Sequence, residues 1–145
     1  MQEHDIERIR RACTELSVGY ARAIDFRDYD AFVELFSDDA VLDAGRRLEG
    51  REAIRASLRQ RDDRLRSRHV ISNVFIDVLS ADEARGISYL TLYRHHGEAS
   101  LGPDAAPLNG PAAVGHYEDR FVRSASGWLF RSRRLHLAFR DSGQF

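Results

Sequence analysis

Two residues far apart in the sequence have side chains suited to moving a proton. Asp25 closes the first predicted helix, and His69 opens a predicted strand. A neutral imidazole can take a proton from carbon when a carboxylate binds its other nitrogen, because the carboxylate fixes the tautomer and stabilises the imidazolium that forms. Exclusion of water strengthens that interaction. Brought together, the two groups would form a base able to start an elimination or an isomerisation.

Few other patterns in the sequence indicate chemistry. The chain has no zinc-ligand spacing, glycine-rich nucleotide loop, nucleophile elbow or HExxH motif. Four further histidines, His95, His96, His116 and His136, are too scattered along the sequence to predict a metal site. We therefore expect neither a metal nor a cofactor.

Composition and charge favour one globular domain over residues 1–145. At this length one hydrophobic core is expected, and the apolar fraction of 43% is typical of globular proteins. The formal net charge is −1, and the basic runs at residues 64–68 and 131–134 are interpreted as solvated charge, so we expect no nucleic-acid partner. All 22 basic residues are arginine, which is typical of a GC-rich bacterial genome.

The sequence carries no signal for export or membrane insertion. Its first residues are charged rather than apolar, and no stretch approaches the roughly 20 apolar residues of a membrane span. Cys13 is the one cysteine, so it cannot form an internal disulfide and is interpreted as a small core residue. We expect a cytoplasmic protein without a membrane partner.

Three helices are predicted in the first part of the chain. Apolar residues recur every three or four positions from Ile6 to Ile24, which predicts one face of a long amphipathic helix. Asp28 is placed to cap a second helix over residues 28–36 that ends near residues 37–39. A short strand is predicted over residues 40–43, a turn over 45–50, and a third helix from Arg51 to about Arg61.

Four long strands are predicted after these helices. Residues 69–79, 84–96, 112–123 and 128–140 are rich in Val, Ile, Tyr, Phe and Leu. Helices followed by a meander of strands predict an α+β fold, because a doubly wound parallel sheet needs alternating strands and helices. All three prolines lie within residues 97–111, which predicts a loop long enough for a binding or lid role.

Strand parity predicts how the first long strand is buried. Alternate side chains of a regular strand face opposite ways, so His69, Asn73 and Phe75 would share one face, and Val70 and Val74 the other. Both faces look partly buried. One can cover a pocket, and the other then needs cover from a second copy or from the chain's own termini. We predict a homo-oligomer that forms through the sheet.

Five segments, in this order, resemble the SnoaL-like family of the nuclear transport factor 2-like superfamily. They are YARAIDFRDYD at residues 20–30, GREAI at 50–54, RHVISN at 68–73, GHYED at 115–119 and GWLF at 127–130. The subset that the chain resembles includes scytalone dehydratase, hexachlorocyclohexane dehydrochlorinase and bile-acid dehydratase. The resemblance implies a cone-shaped α+β barrel, in which N-terminal helices pack on a strongly curved, mainly antiparallel sheet that encloses a pocket.

The resemblance also implies roles for particular residues. In those enzymes an aspartate at the end of the first helix pairs with a histidine that opens a central strand and acts as the base, and Asp25 and His69 match these positions. Tyr20 matches a position that is polar in some members, where its hydroxyl could polarise a carbonyl or assist a leaving group. A core tyrosine is the equal alternative. Arg94 stands where scytalone dehydratase has a second histidine.

Further side chains are candidates for substrate contacts. Asn73 could orient a substrate, with Phe75 as an apolar contact on the same predicted face. Arg94 or His96 could reach the pocket from the next strand, and Tyr117 and Asp119 share one face of the third long strand.

These features predict a cofactor-independent lyase of the dehydratase type, or an isomerase, that acts on a small hydrophobic, cyclic molecule. His69 would be the general base and Asp25 its orienting carboxylate. Two alternatives stay open: a non-catalytic module that binds a small molecule in the same pocket, and a polyketide cyclase-like enzyme. The relatives with this pair of residues imply a homotrimer, with a homodimer as the alternative.

Overall fold

The computed structural model describes residues 1–98, 102–143 and 145. Residues 99–101 of the predicted loop therefore lie outside the described residues. The helices and strands follow one another as α1 (Glu3–Asp25), α2 (Tyr29–Glu34), β1 (Phe36–Asp43), β2 (Arg47–Glu49), α3 (Arg51–Arg59), β3 (Leu65–Val78), β4 (Glu83–His96), β5 (Ala113–Ser124) and β6 (Gly127–Arg140). Within the described residues no helix is long and apolar enough to cross a membrane.

Helix α1 confirms the long amphipathic helix predicted from the 3.6-residue period. Its buried face includes Ile9, Cys13, Leu16 and Ile24, so Cys13 is a core residue as expected. The helix ends at Asp25, and the chain then turns sharply, with φ of 60° at Arg27. Because the helix ends at this residue, the side chain of Asp25 points towards the sheet and not towards solvent.

The boundaries of the next elements differ from the sequence predictions. Asp28 caps α2 as predicted, since its side chain accepts a hydrogen bond from the amide of Ala31. The helix is shorter than predicted, because the carbonyl of Leu35 accepts a hydrogen bond from Phe130 of β6 and Phe36 already lies in a strand. Strand β1 is therefore longer than expected, a short strand β2 occupies part of the predicted turn, and α3 ends two residues earlier.

The six strands form one curled sheet in the order β2-β1-β6-β5-β4-β3. All neighbours are antiparallel except β1 and β6, which are parallel. Strands β2 and β3 are at opposite edges, so the sheet does not close into a complete barrel. Helices packed on a curled, mainly antiparallel sheet confirm the predicted α+β class.

A bulge in β3 changes which residues face the core. The pairing with β4 shifts between Ser72 and Phe75, and Asn73 has φ of 49°, a left-handed conformation that asparagine tolerates better than most residues. Beyond the bulge Ile76 is buried, whereas Phe75 is 67% exposed. The predicted common face of His69, Asn73 and Phe75 is therefore wrong, because one extra residue reverses the alternation.

The outer face of the sheet exposes large apolar side chains. These are Val70, Phe75, Ile87, Tyr89 and Phe139. Exposed apolar patches of this kind mark contact surfaces. The inner face carries the core instead, where alternate residues of β4 and β5 are buried against the helices.

Candidate active site

Asp25 and His69 meet beside the inner face of the sheet. The ring nitrogen Nδ1 of His69 lies 2.7 Å from Oδ1 of Asp25, and the backbone amide of His69 donates to Oδ2 at 2.7 Å. The hydroxyl of Ser67 donates to Oδ1 at 2.9 Å. The side chains of His69 and Asp25 are only 12% and 5% exposed. The carboxylate is thus held by three groups, two of which belong to the histidine it would orient.

These contacts determine the charge of Asp25. Burial alone opposes ionisation, but the hydrogen bonds from the ring and amide of His69 and from Ser67 outweigh it, so the pKa of Asp25 lies below its ordinary value. An ionised carboxylate accepts a proton-bearing Nδ1, which leaves Nε2 of the imidazole with a free lone pair. This is the tautomer that a general base requires.

His69 lines a cavity of about 370 Å³ between the helices and the inner face of the sheet. Most of the wall is apolar, with Ile24, Phe32, Leu58 and Leu90 among the lining residues. Apolar walls with a few polar groups are typical of small-molecule sites. A small molecule in this cavity would lie against His69 and the apolar side chains of the wall.

Two tyrosines lie next to the dyad. The ring of Tyr20 packs edge-on to His69, with 6.2 Å between centroids, and edge-on to Tyr117, with 5.6 Å between centroids. Both tyrosines line the cavity and are buried. Burial raises the pKa of each phenol, against an opposing effect of Arg133. The phenols therefore keep their protons and can act as hydrogen-bond donors.

Arg133 is a buried residue that the sequence analysis missed. Arg133 is 1% exposed. The interpretation of the basic run at residues 131–134 as solvated charge is therefore wrong for this residue. Its guanidinium lies 3.7 Å from the ring centroid of Tyr117 and 4.3 Å from that of Tyr20. The pairing of β5 with β6 shifts next to Phe121, and this irregularity turns Arg133 inward between two exposed or partly exposed neighbours. Sequence parity carries no signal for it.

Asp119 is the partner of Arg133. Nε of Arg133 donates to Oδ1 of Asp119 at 3.0 Å, and both side chains are almost fully buried. The hydroxyls of Ser17 and Ser88 accept two more hydrogen bonds from the same guanidinium. Burial raises the pKa of Asp119 to about 6, against the opposing charge of Arg133. Asp119 does not line the cavity that contains His69, so the prediction that it contacts a substrate there is wrong. Its carboxylate binds Arg133, whose guanidinium lies against the rings of both tyrosines.

The structure brings some of the predicted substrate contacts to the cavity and leaves others outside it. Arg94 lines the cavity together with Tyr20, His69 and Tyr117, and its guanidinium lies 5.5 Å from the ring centroid of Phe145. Asn73 and Phe75 are exposed and do not line the cavity, because the bulge in β3 turns them away from it.

One group of side chains outside the cavity has the composition of a metal site. The register of β5 and β6 places His116 opposite His136, and with Glu118 their ligand atoms all lie within 4.8 Å of one another. The two histidine rings stack at 4.9 Å, and Nε2 of His136 is 2.6 Å from Glu118. The sequence analysis took the histidines to be too scattered for a metal site, and for His116 and His136 this is wrong. Antiparallel pairing of β5 with β6 brings these two residues together although they are far apart in the sequence.

The sequence of the chain matches a known family over most of its length. The profile of the SnoaL-like domain matches residues 7–134. No curated protein matches the chain.

Solved structures share the fold. One named "Putative Scytalone Dehydratase", from Novosphingobium aromaticivorans, has a TM-score of 0.80 at 21% identity and covers 95% of this chain and 89% of that one. A hexachlorocyclohexane dehydrochlorinase, LinA type 2, has a TM-score of 0.77 at 15% identity and covers 95% and 90%. A variant of Rv3472, a protein of unknown function from Mycobacterium tuberculosis, has a TM-score of 0.73 at 24% identity and covers 91% and 76%. Another similar structure is described as an NTF2-like protein with a cystatin-like fold.

Proposed function

Because the chain belongs to the family of SnoaL-like domains, we propose that it is a cofactor-independent lyase of the dehydratase type, or an isomerase, whose substrate is a small hydrophobic, cyclic molecule. The observation that carries the proposal is the 2.7 Å contact between Asp25 and His69 beside a largely apolar cavity. Two solved structures of the same fold are named for eliminations, one "Putative Scytalone Dehydratase" and the other a hexachlorocyclohexane dehydrochlorinase.

The proposed reaction begins at Nε2 of His69. This nitrogen takes a proton from a carbon of the substrate, and Asp25 stabilises the imidazolium that forms. In an elimination the electron pair of the broken C–H bond forms the C=C bond, and a hydroxide or halide leaves the neighbouring carbon with its bonding pair. In an isomerisation the imidazolium returns the proton to a different carbon. Neither course consumes an oxidant or a reductant.

The two buried phenols would serve the same reaction as donors. Tyr20 and Tyr117 keep their protons, so either hydroxyl could donate a hydrogen bond to a substrate carbonyl or to a leaving oxygen. Tyr20 is the nearer candidate for this role, because its ring packs against His69 as well as against Tyr117.

The proposal is tested by turnover of cyclic β-hydroxy ketones and halogenated cyclohexanes, with the enone products followed by ultraviolet absorbance and released halide measured directly. His69→Ala should abolish turnover, and Asp25→Asn should reduce it strongly while binding changes little. Undiminished turnover by His69→Ala would reject the role of the base. A non-catalytic binding module would instead bind hydrophobic ligands with the same affinity before and after Asp25→Asn, and would turn none of them over.

The proposal extends to assembly and location. We treat residues 1–145 as one domain that forms a homotrimer or homodimer through the apolar outer face of the sheet, where Phe75 and Phe139 are 67% and 71% exposed. A cytoplasmic location agrees with Cys13, which is buried and free. Sedimentation measurements of the purified protein would give the number of copies, and a monomer at micromolar concentration would contradict the assembly.

A further inference from the structure

Three arginines line the cavity, and none of them has an acidic partner among the described residues: Arg46, which is exposed, and Arg61 and Arg94. Arg61 and Arg94 are only partly exposed. Nε of Arg61 is buried and makes no hydrogen bond within the described part of the chain. Arg94 contacts the ring of Phe145, at 5.5 Å from the centroid. A buried guanidinium N–H without an acceptor costs free energy, so such a group points to an acceptor that arrives with a ligand.

Two carboxylates close to the cavity residues are already bound to other groups. Asp62, which follows Arg61 in the chain, makes hydrogen bonds of 3.0 and 2.9 Å with Nε of Arg64. Asp25 is held by His69 and Ser67. Among the residues that the structure describes, no carboxylate lies within salt-bridge distance of Arg61 or Arg94. Neither guanidinium is therefore neutralised by a direct ion pair, and the ionised Asp25 reaches Arg61 only through the hydroxyl of Ser67.

The two cations also act on each other. Burial lowers the pKa of Arg94, and the nearby charge of Arg61 lowers it further. Two like charges beside an apolar cavity are an unfavourable arrangement unless an anion comes between them. Planar guanidinium groups bind carboxylates through paired hydrogen bonds, which gives them both affinity and a defined orientation.

We propose that Arg61 and Arg94 form an anion-binding clamp and that the substrate of this cavity is a small cyclic carboxylic acid. This inference rests on the proposed function and names its substrate class. A carboxylate is favoured over a phosphate dianion, because removing a dianion from water into a largely apolar cavity costs more free energy. The apolar walls would hold the ring, and the clamp would hold its carboxylate.

The clamp is connected to the dyad. Nη2 of Arg61 lies 3.4 Å from the hydroxyl of Ser67, and that hydroxyl donates to Asp25 at 2.9 Å. A carboxylate bound by Arg61 would thus sit at a fixed position relative to His69, through one shared serine. Fixing a substrate beside a base in this way accelerates proton transfer by removing unproductive orientations. The clamp residues act by positioning, and they take no part in the proton transfer itself.

The experiment compares 2-naphthoate with 2-naphthamide, which have the same shape and differ in charge. Binding to the full-length protein is measured by isothermal titration calorimetry at constant ionic strength and neutral pH. We expect 2-naphthoate to bind at least about tenfold more tightly than the amide, as charge-assisted hydrogen bonds predict. In the double variant Arg61→Met and Arg94→Met the ratio of the two affinities should fall to about one, because the charge that distinguishes the probes has been removed. Arg59→Met, an exposed arginine at the end of α3, is the matched control and should keep the preference.

Each remaining outcome has a meaning. Equal affinity of the wild type for both probes, or no binding of either, would overturn the clamp, and so would a preference that survives in the double variant. Tighter binding of 2-naphthyl phosphate than of 2-naphthoate would overturn the assignment to a carboxylate. The wild-type comparison does not depend on whether the variants fold. His69→Ala separates this inference from the proposed function, because that variant should lose turnover and still prefer 2-naphthoate.

Discussion

Asp25→Asn is the most informative single substitution, because it removes the charge of the carboxylate and keeps its shape. The carboxylate accepts hydrogen bonds from the ring of His69, the amide of His69 and the hydroxyl of Ser67, at 2.7, 2.7 and 2.9 Å. An asparagine oxygen can still accept from some of these donors. Its NH₂ group, however, must face at least one of them, and a donor that faces a donor makes no hydrogen bond.

The magnitude follows from these contacts. A hydrogen bond to a charged group is worth about 1.5–3 kcal/mol, and leaving a buried donor without a partner costs about 1–3 kcal/mol. With the side chain of Asp25 only 5% exposed, we expect unfolding free energy to fall by about 2–4 kcal/mol. Loss of about 3 kcal/mol of imidazolium stabilisation would lower kcat by about 100-fold.

The lowered pKa of Asp25 also predicts how the stabilising effect of this carboxylate changes with pH. The pKa of Asp25 in the folded protein lies below the ordinary value of 3.8. Its charge therefore contributes stability that is fully present above the unfolded pKa and is lost as the pH falls through the folded pKa. The part of the difference in unfolding free energy between wild type and Asp25→Asn that comes from ionisation of this carboxylate should shrink below about pH 4.

Two measurements check this reasoning. Urea denaturation from acidic to neutral pH gives the difference in unfolding free energy, and ¹⁵N NMR of the imidazole reports whether Nε2 of His69 is the nitrogen without a proton. Equal stability of the two proteins at neutral pH would refute the hydrogen-bonding argument. A wild-type imidazole whose proton resides on Nε2 would refute the assignment of the base, whatever the stability.

Three further predictions concern residues outside the dyad. Asp119→Ala leaves the buried guanidinium of Arg133 without its anion, so unfolding free energy measured in urea should fall by about 3–5 kcal/mol; a loss below about 1 kcal/mol would contradict the buried pair. Phe75→Glu puts a charge on the exposed apolar face, so light scattering should show a shift from oligomer to monomer with unchanged circular dichroism; an unaltered mass would exclude this position from the interface. Asn73→Val forces a β-branched residue to adopt φ of 49° and should lower the melting temperature, whereas Asn73→Gly should be tolerated; equal melting temperatures of the two variants would argue against the bulge.

Local pattern accounts for the parts of the fold that sequence analysis predicted correctly. Helix α1 follows from an apolar residue at every third or fourth position, and the capping by Asp28 follows from the chemistry of its side chain. The boundaries that were wrong are those decided by distant residues. Helix α2 ends early because the carbonyl of Leu35 accepts a hydrogen bond from the backbone amide of Phe130 in β6. The residues next to Leu35 in the sequence do not indicate this contact.

The candidate site shows the same division. The residue types at Asp25 and His69 indicate acid–base chemistry. Tyr20, Arg94 and Tyr117 line the same cavity as His69, and their roles in binding or catalysis stay predictions. Asn73 was assigned to the cavity by simple alternation, and alternation fails wherever one strand gains a residue relative to its partner.

The sequence by itself determined the order of helices and strands, the amphipathic face of α1 and the chemical types available for proton transfer, because each depends on neighbours a few positions away. Only the tertiary structure decided that Asp25 lies 2.7 Å from His69, that Arg133 is buried, and that Arg61 and Arg94 face one cavity without an acidic partner among the described residues. These facts depend on strand register and on the place where a helix ends. A shift of one residue in either reverses the direction of a side chain without altering the local pattern.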